Sequence, residues 1–311
     1  MDDEDLIQKL FKSAETDQNV LQDPGVAHLT IDYNNILSSR SVSGLSMDVE
    51  ERGDGIKADI TVKSGIIIDK TVHLCFGVLA EEGVQRIQLN IEVEENAKIG
   101  LLAHCIFPNA VHLKHIMDAH IAIEDWAEYT YFEKHIHGPT GGIEVYPKAS
   151  VSLGEGARFK TEFELVRGRV GLIDIDYETT CQAESILEMM TRINGSGTDV
   201  IRIKETGHLL GEYARGVLTS KIALRDTAKA EIYNKMTASA AYARGHVDCK
   251  EIVQDRAAAA AIPIVEVNHP KAHITHEAAI GSVDTKQLQT LMARGLSEDE
   301  AVELIIEGLP M

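Results

Sequence analysis

The chain has 311 residues, with 49 acidic and 30 basic side chains and a formal net charge of −19 at pH 7. Binders of nucleic acid and of anionic membranes need a basic surface, so this balance argues against both classes. Only 5% of the residues are aromatic, so the core has to be built from valine, isoleucine, leucine and alanine. The length suits two average domains or one large repetitive domain.

The N-terminal residues, the apolar stretches and the cysteines predict a cytoplasmic protein. The chain starts Met-Asp-Asp-Glu-Asp, whereas a secretory signal peptide starts with basic residues. Its longest apolar stretches, such as Ala257–Val265, are far shorter than the roughly 20 residues of a membrane-spanning helix. The cysteines lie far apart and form no CxxC pair, so we expect free thiols rather than a zinc ribbon. They are Cys75, Cys105, Cys181 and Cys249.

Along the chain, a short N-terminal helix precedes a long strand-rich region. Helical spacing of apolar residues predicts a helix over residues 4–16, and residues 27–45 are polar without a clear pattern. From about residue 46, short strand-like runs alternate with Gly, Asn and Asp turns. These runs are Lys57–Val62, Gly65–Ile68, Thr71–Leu79, Arg86–Val93 and Ala97–Ala103. We divide the chain into an N-terminal helical and irregular region (1–45), a β core (46–275) and a C-terminal helical region (276–311).

The β core contains a repeated pattern. Residues 119–133 resemble residues 149–163, each with a strand, an acidic turn, a small residue and a second strand. The interval between such units varies over about 20 to 35 residues, as in repeat proteins. No long amphipathic helix interrupts residues 55–267, which disfavours a doubly wound α/β fold. A β-sandwich and a β-solenoid remain, and the low aromatic content favours the solenoid because its coils stack on near-identical neighbours.

The C-terminal region predicts a helical hairpin. Asp284 is a candidate N-cap for a helix ending near Arg294, with Gly295 as its left-handed stop. Ser297 and Glu300 have the spacing of a capping box for a second helix that ends at Gly308. This hairpin either caps the end of a solenoid or docks a partner, and the residues alone leave both interpretations open.

Two segments near the end of the β core carry candidate chemistry. Cys249 follows His246 and Asp248, and a thiolate there would need the positive charge of neighbours such as Lys250. A lone cysteine is more often a buried structural residue. Further on, His269, His273, His276 and Glu277 fall within nine residues. On an extended strand His276 and Glu277 would point to opposite faces, which opposes a joint site unless a second subunit contributes ligands.

A third candidate is the stretch bearing histidines and a cysteine between residues 104 and 137. In a β-solenoid these side chains could stack on adjacent coils, although a lone histidine is more often structural. They are His104, Cys105, His112, His115, His120, His135 and His137. The chain has no GxxxxGK[ST] loop, no GxSxG elbow and no HExxH motif, so we expect it to bind no nucleotide through a P-loop of its own.

The C-terminal third resembles the SufB/SufD family of iron–sulfur cluster assembly scaffolds. The resemblance is carried by Asp255-Arg256, Ile262–Val267, Thr275-His-Glu-Ala278 and Ala293-Arg-Gly-Leu-Ser-Glu-Asp-Glu-Ala301, and it extends more weakly over residues 70–310. It implies a right-handed parallel β-helix core with an N-terminal helix and a C-terminal helical hairpin. It also implies a scaffold rather than an enzyme, working in the cytoplasm with a SufC-type ABC ATPase that docks on the hairpin.

The same resemblance implies the site residues. Cys249, His276 and Glu277 would bind iron, sulfur or the transient iron–sulfur cluster, with His273, Cys181 and His246 as further candidates. The SufB branch has a functional cysteine directly after the Asp-Arg pair, where this chain has Ala257. The docking residues would be Leu288, Leu291, Arg294, Gly295, Leu296, Ala301 and Ile305.

The missing cysteine leaves the role within the family open. The chain resembles either a homodimeric archaeal-type scaffold or a SufD-like partner that stabilises the complex and holds no cluster. Its short length and the retained His276-Glu277 pair favour the homodimer, in which ligands from two copies would meet. A β-helix carbohydrate enzyme is a poorer match, because it needs aromatic sugar platforms and the chain has a single tryptophan.

Overall fold

The computed structural model describes residues 3–13 and 18–307. The expected ends of the first helix (14–16) and of the last helix (308) lie outside these residues. The helices are α1 (Asp3–Ser13), α2 (Thr285–Met292) and α3 (Glu298–Glu307), with a short 3-10 helix at Gln18–Gln22. None of the helices in the described ranges combines the length and the apolar character needed to cross a membrane.

Strands make up most of the rest of the described chain. The first nine are β1 (His28–Asp32), β2 (Asn35–Arg40), β3 (Leu45–Arg52), β4 (Gly55–Val62), β5 (Val72–Gly77), β6 (Glu82–Val93), β7 (Lys98–Phe107), β8 (His112–Ile123) and β9 (Glu128–His137). The others are β10 (Ile143–Leu153), β11 (Arg158–Arg167), β12 (Leu172–Cys181), β13 (Ile186–Gly195), β14 (Val200–Leu209), β15 (Arg215–Leu224), β16 (Lys229–Ala238), β17 (Arg244–Val253), β18 (Ala258–Val267) and β19 (His273–Gly281).

From β4 onward, successive strands alternate between two sheets. In the described residues one sheet has the order β19-β17-β15-β13-β11-β9-β7-β5-β1-β2 and the other β18-β16-β14-β12-β10-β8-β6-β4-β3. Among the described strands, every pairing beyond β4 is parallel, while β1–β2 and β3–β4, at the N-terminal end, are antiparallel. The predicted β-solenoid is therefore confirmed, and the alternative β-sandwich is wrong.

The register shows a more regular repeat than the sequence pattern suggested. Ala119 pairs with Ala149 and Glu133 with Phe163, so the two similar segments stack residue on residue. One column of paired residues runs through Lys98, Glu128, Arg158, Ile186, Arg215, Arg244 and His273, at intervals of 28–30 residues. Two residues before each of the first six members of this column, the turn has a residue with positive φ, namely Asn96, Trp126, Gly156, Glu184, Tyr213 and Tyr242.

Strand residues alternate between the interior and the surface, as the period of two requires. In β6, for example, Ile87, Leu89, Ile91 and Val93 are buried and their neighbours are more exposed. The interior is filled mainly by aliphatic side chains, with a few stacked rings such as Tyr129 on Phe159, whose centroids lie 5.5 Å apart. The low aromatic content therefore agrees with a core of stacked aliphatic columns.

The N-terminal helix covers the outer surface of the first coils. Leu10 and Phe11 of α1 are buried against Cys75 and Ile106. A Cβ atom at position 77 would lie 2.2 Å from Leu10 Cδ2, so glycine at this position allows the helix to approach the sheet.

The C-terminal hairpin packs on the outside of the solenoid near its other end. Val283 and Val302 are buried against Ala223 of β15, and Ile252 of β17 packs beside them. The end itself has no such cover in the described part of the chain. Most residues of β18 and β19 are exposed or only half-buried, so the final coil is an open edge.

The strands extend further than the sequence-based division of the chain. They start at His28 and continue to Gly281, whereas the expected core covers residues 46–275. One predicted strand is wrong: Gly65–Ile68 forms a turn with a single bridge, between Ile67 and Lys98. Most of residues 28–40 form strands because β1 pairs with β5 and β2 pairs with β1, a tertiary effect that local patterns do not reveal.

Candidate functional site

Cys249 lies inside the solenoid on β17. Its side chain is fully buried, and its register neighbours are Ser220 on β15 and Ala278 on β19. The side-chain amide of Asn234 donates to its sulfur at 3.7 Å. Burial raises the pKa of the Cys249 thiol, and a hydrogen bond with Ser220 opposes this rise. The resting form at neutral pH is therefore the protonated thiol.

Buried polar side chains surround this thiol. Glu251 and Glu205 are 2% and 1% exposed, and burial raises the pKa of each carboxyl to about 7. Ser220 donates to Glu251 Oε1 at 3.4 Å. One oxygen of each carboxylate and the Asn234 carbonyl oxygen have no hydrogen-bond partner. Such unpaired buried polar atoms are uncommon in folded proteins. We call Asn234, Glu205, Glu251, Ser220 and Cys249 the C-terminal interior cluster.

His276 and Glu277 lie on β19, the outermost strand of their sheet. His276 pairs with Val247, whose side chain is buried, while Glu277 pairs with Asp248 on the outer face. Both side chains are exposed because no described strand continues the sheet beyond β19. Within one chain the structure therefore does not bring Cys249, His276 and Glu277 together. Cys249 lies in the interior, Glu277 on the outer face and His276 at the open edge.

The further candidates are also dispersed. The Nδ1 atom of His246 lies 2.8 Å from Thr275 Oγ1, and His273 is exposed at the start of β19. Cys181 ends β12 in the other sheet, between Leu153 and Leu209. Burial raises the pKa of Cys181 to about 12, so its thiol is protonated at neutral pH.

Ala257 lies in the turn that leads into β18. It is half-buried and packs against the core beside Ala259 and Ala261. Small side chains here and the exposed Val267 and Ile280 on the last two strands give the open edge an apolar character. Unpaired edge strands of this kind are suited to pairing with another chain.

The hairpin has the predicted caps. Asp284 Oδ1 accepts a hydrogen bond from the Gln287 backbone N–H at 2.7 Å. Ser297 Oγ accepts one from the Glu300 N–H at 3.3 Å, and a Glu300 carboxylate oxygen accepts one from the Ser297 N–H at 2.8 Å. The reciprocal pair is the capping box expected from the sequence.

The expected docking residues differ in their surroundings. Arg294 and Gly295 are exposed in the turn between the helices, whereas Ala301 is fully buried within the hairpin. Leu288 and Ile305 pack against the solenoid beside Val302. The other two, Leu291 and Leu296, are half-buried. The turn is thus the exposed part of this set, while Leu288, Ala301 and Ile305 contribute to the packing of the hairpin.

The structure also assembles a group that the sequence analysis identified only in part. Cys105 on β7, His115 on β8 and Glu133 on β9 are each at most 1% exposed. Their ligand atoms all lie within 4.8 Å of one another. The sequence singled out the cysteine and the histidine, but Glu133 lies in an ordinary alternating strand without a local signal. We call these three residues the N-terminal interior cluster.

Burial dominates the protonation of the N-terminal interior cluster. It raises the pKa of the Cys105 thiol well above its usual value and that of Glu133 to about 7. It lowers the pKa of His115 to about 3. Without a bound cation, the thiol and the imidazole are therefore neutral at pH 7.

The fold is a β-solenoid whose interior holds buried cysteine, histidine and carboxylate side chains. Comparison with known proteins identifies the family. A family model described as SUF system FeS cluster assembly, SufBD core domain, matches residues 78–309. The chain is 38% identical over 305 residues to an iron–sulfur cluster assembly SufBD family protein of Methanocaldococcus jannaschii, covering 98% of this chain and 96% of that one. The chain belongs to the SufBD family of iron–sulfur cluster assembly proteins.

Other relatives agree with this assignment. A SufBD family protein of Pyrococcus horikoshii is 34% identical over 284 residues, covering 91% of this chain and 86% of that one. The iron–sulfur cluster assembly protein SufB of Bacillus subtilis is 36% identical over a shorter segment of 67 residues, or 21% of this chain and 14% of that one. The resemblance recognised in the sequence is thereby confirmed at the level of the family.

Proposed function

We propose that this protein is a scaffold on which iron–sulfur clusters are assembled, and that it works as a homodimer in the cytoplasm. The family assignment supports the cluster-assembly role. The observation that carries the proposal is the position of Cys249 on β17. This strand lies next to β19, the strand that forms the open apolar edge of its sheet. The four cysteines are free thiols, as expected in a reducing compartment.

A dimer formed through the open edges resolves the geometric problem of the site. Two copies related by a twofold axis would each contribute His276 and Glu277 near the Cys249 region of both chains. Imidazole, carboxylate and thiolate together suit iron. The cluster is cargo, so its release requires that the site opens.

We propose that a SufC-type ABC ATPase supplies this opening. It would dock on the α2–α3 turn at Arg294 and Gly295, and its nucleotide-driven dimerisation would strain the scaffold dimer. The hairpin packs on β15 and β17, so a force applied to it reaches the strand that carries Cys249. The scaffold itself would bind no nucleotide.

Anaerobic reconstitution tests the site. Iron and acid-labile sulfide are measured per chain after incubation with ferrous iron and a sulfide source. We expect both to fall strongly in Cys249→Ser, His276→Ala and Glu277→Ala. Cys75→Ser is the matched control because Cys75 is a buried thiol beneath α1. Unchanged stoichiometry in all three site variants would contradict the assignment.

The quaternary structure and the docking surface have separate tests. Light scattering should show a dimer that Ile280→Asp dissociates, since Ile280 is 47% exposed on the edge strand. Co-purification with the ATPase should be lost in Arg294→Glu and retained in Arg158→Glu, which reverses an exposed charge on the solenoid. A monomeric wild-type chain, or ATPase binding that survives Arg294→Glu, would contradict these proposals.

A SufD-like role without a cluster is the second candidate. The buried, protonated thiol of Cys249 and the alanine at position 257 favour it. In that case the protein would bind the ATPase but show no iron-dependent absorption after anaerobic purification.

A further inference from the structure

The N-terminal interior cluster has the geometry of a metal-binding site. Cys105 Sγ lies 3.8 Å from His115 Nε2 and 3.8 Å from Glu133 Oε1. A tetrahedral ion with metal–sulfur and metal–nitrogen bonds of about 2.3 and 2.0 Å holds those two ligand atoms about 3.5 Å apart. Shifts of a few tenths of an ångström would therefore convert the present arrangement into a coordination sphere.

The orientation of His115 is set in advance for such a role. The side-chain amide of Gln85 donates to the carbonyl oxygens of Tyr33 and Gly77, at 2.7 and 3.0 Å. This assigns the Gln85 carbonyl oxygen to the remaining contact, 2.8 Å from His115 Nδ1. Nδ1 of the neutral ring must then carry the proton, and Nε2 presents its lone pair towards Cys105 and Glu133. Ligating histidines characteristically donate their second ring N–H in this way.

Glu133 is positioned by a second chain of contacts. Its Oε1 lies 2.8 Å from His135 Nε2, and the Tyr177 hydroxyl donates to its Oε2 at 3.4 Å. His135 Nδ1 in turn lies 3.1 Å from His137 Nε2, and His137 Nδ1 lies 3.3 Å from the Arg169 carbonyl oxygen. These contacts hold the carboxylate in place, and its Oε1, which has a second lone pair, also lies 3.8 Å from Cys105 Sγ.

Phenylalanine rings pack against the cluster and its hydrogen-bond network. The Phe107 ring centroid lies 5.0 Å from that of His115, and the Phe163 centroid lies 4.6 Å from that of His135. In such surroundings a lone carboxylate or thiolate is expensive to bury. The complex of a divalent cation with one thiolate and one carboxylate is neutral overall, so binding offsets the cost of burying either charge alone.

We propose that Cys105, His115 and Glu133 bind one borderline divalent metal ion of the zinc or ferrous type inside the solenoid. Sulfur, imidazole nitrogen and carboxylate oxygen are the donor types that such ions accept. Gln85 and His135 are positioning residues, and a fourth coordination position remains for water or a neighbouring side chain. Binding displaces the thiol proton of Cys105 to solvent.

The site is separate from the proposed cluster site. It shares no residue with Cys249, His276 and Glu277, and its ligands lie on β7, β8 and β9, far from β19 along the stack of coils. Because the ligands are fully buried, the ion would enter as the coils assemble. Metal loading therefore has to be tested on chain refolded in the presence of metal as well as on purified protein.

The test is metal content and cobalt spectroscopy of the full-length chain. After refolding with zinc and exhaustive dialysis, we expect about one equivalent of zinc in the wild type, in Cys75→Ser and in His120→Asn. Cys75 is a buried thiol outside the cluster, and His120 is an exposed histidine on the same strand as His115. Cys105→Ser and His115→Asn should lose the metal. Gln85→Ala should lower the affinity about 10- to 100-fold in a chelator competition.

Visible spectroscopy of the cobalt-loaded wild type tests the site even if a ligand variant fails to fold. The wild type refolded with cobalt should show thiolate-to-metal charge transfer and the intense visible bands of a tetrahedral ion. Substoichiometric zinc together with the absence of those bands would overturn the proposal, as would full zinc content in folded Cys105→Ser and His115→Asn. The Cys249→Ser variant should keep this metal while losing the iron–sulfur cluster, so the two sites can fail independently.

Discussion

Replacing Glu205 with glutamine should change how the stability of the solenoid depends on pH. Glu205 is buried on β14 between Tyr177 and Asn234 in register. Thr191 donates to its Oε1 at 2.6 Å, and its Oε2 has no hydrogen-bond partner. Burial is the leading cause that raises the pKa of this carboxyl from 4.5 to about 7.

The sign follows from proton linkage. Between pH 4.5 and 7 the folded chain holds a proton on Glu205 that the unfolded chain has lost, so the free energy of unfolding decreases as the pH rises. The upward shift of the pKa corresponds to about 3 kcal/mol, at about 1.4 kcal/mol per pH unit. Glutamine cannot ionise. The stability of Glu205→Gln relative to the wild type should therefore increase by about 3 kcal/mol from pH 4 to pH 8, most of it between 4.5 and 7.

Urea denaturation across this pH range measures the effect. Far-ultraviolet circular dichroism is compared with the fluorescence of Trp126, the single tryptophan, because coincident transitions support a two-state treatment. The difference between variant and wild type isolates Glu205 from Glu133 and Glu251, whose carboxyl pKa values are raised to about 7 as well. Tyr177 and Cys249 also face Glu205, and their raised pKa values lie above this range.

Glu188→Gln is the control for losing one carboxylate, because Glu188 is exposed on the neighbouring strand β13. A stability difference between Glu205→Gln and the wild type that stays constant from pH 4 to pH 8 would refute the reasoning.

Three further substitutions test the packing of the fold. Leu10→Ala should destabilise the chain by about 2–5 kcal/mol, since it empties a fully buried site under α1; a shift below the error of a urea titration would contradict this. Gly211→Ala should also destabilise it, because a Cβ atom there would lie 1.9 Å from the Ala183 backbone nitrogen, and an unchanged melting temperature would count against the close approach. Asp284→Ala should cost about 1 kcal/mol by removing the cap on the Gln287 N–H, and hydrogen exchange in α2 that stays as slow as in the wild type would argue against it.

Local patterns in the sequence determined much of the architecture. Alternating apolar residues, few aromatics and repeated segments indicated stacked coils, and the pairing of Ala119 with Ala149 confirms that alignment. The caps at Asp284 and Ser297 were also predictable, because a helix cap depends on residues three positions apart. The family could be recognised from motifs in the C-terminal third.

Contacts between coils depend on information that a local pattern lacks. Glu133 joins Cys105 and His115 only because stacking at an interval of 30 residues places β9 beside β7, and because β8 belongs to the sheet on the other side of the interior. Nothing in the neighbourhood of Glu133 distinguishes it from the surface glutamates. For the same reason, no local pattern indicates that the carboxyl groups of Glu205 and Glu251 are buried.

The sequence alone thus determined the class of fold, the hairpin and the residues worth testing, while the tertiary structure decided which of them share a face. At β17 and β19 the register places Glu277 beside Asp248, an interval of 29 residues. Cys249 is one residue closer to Glu277 along the chain, and because side chains alternate along a strand, that single residue turns it to the opposite face. Within one chain, the register therefore places the side chains of Cys249 and Glu277 on opposite faces of the sheet.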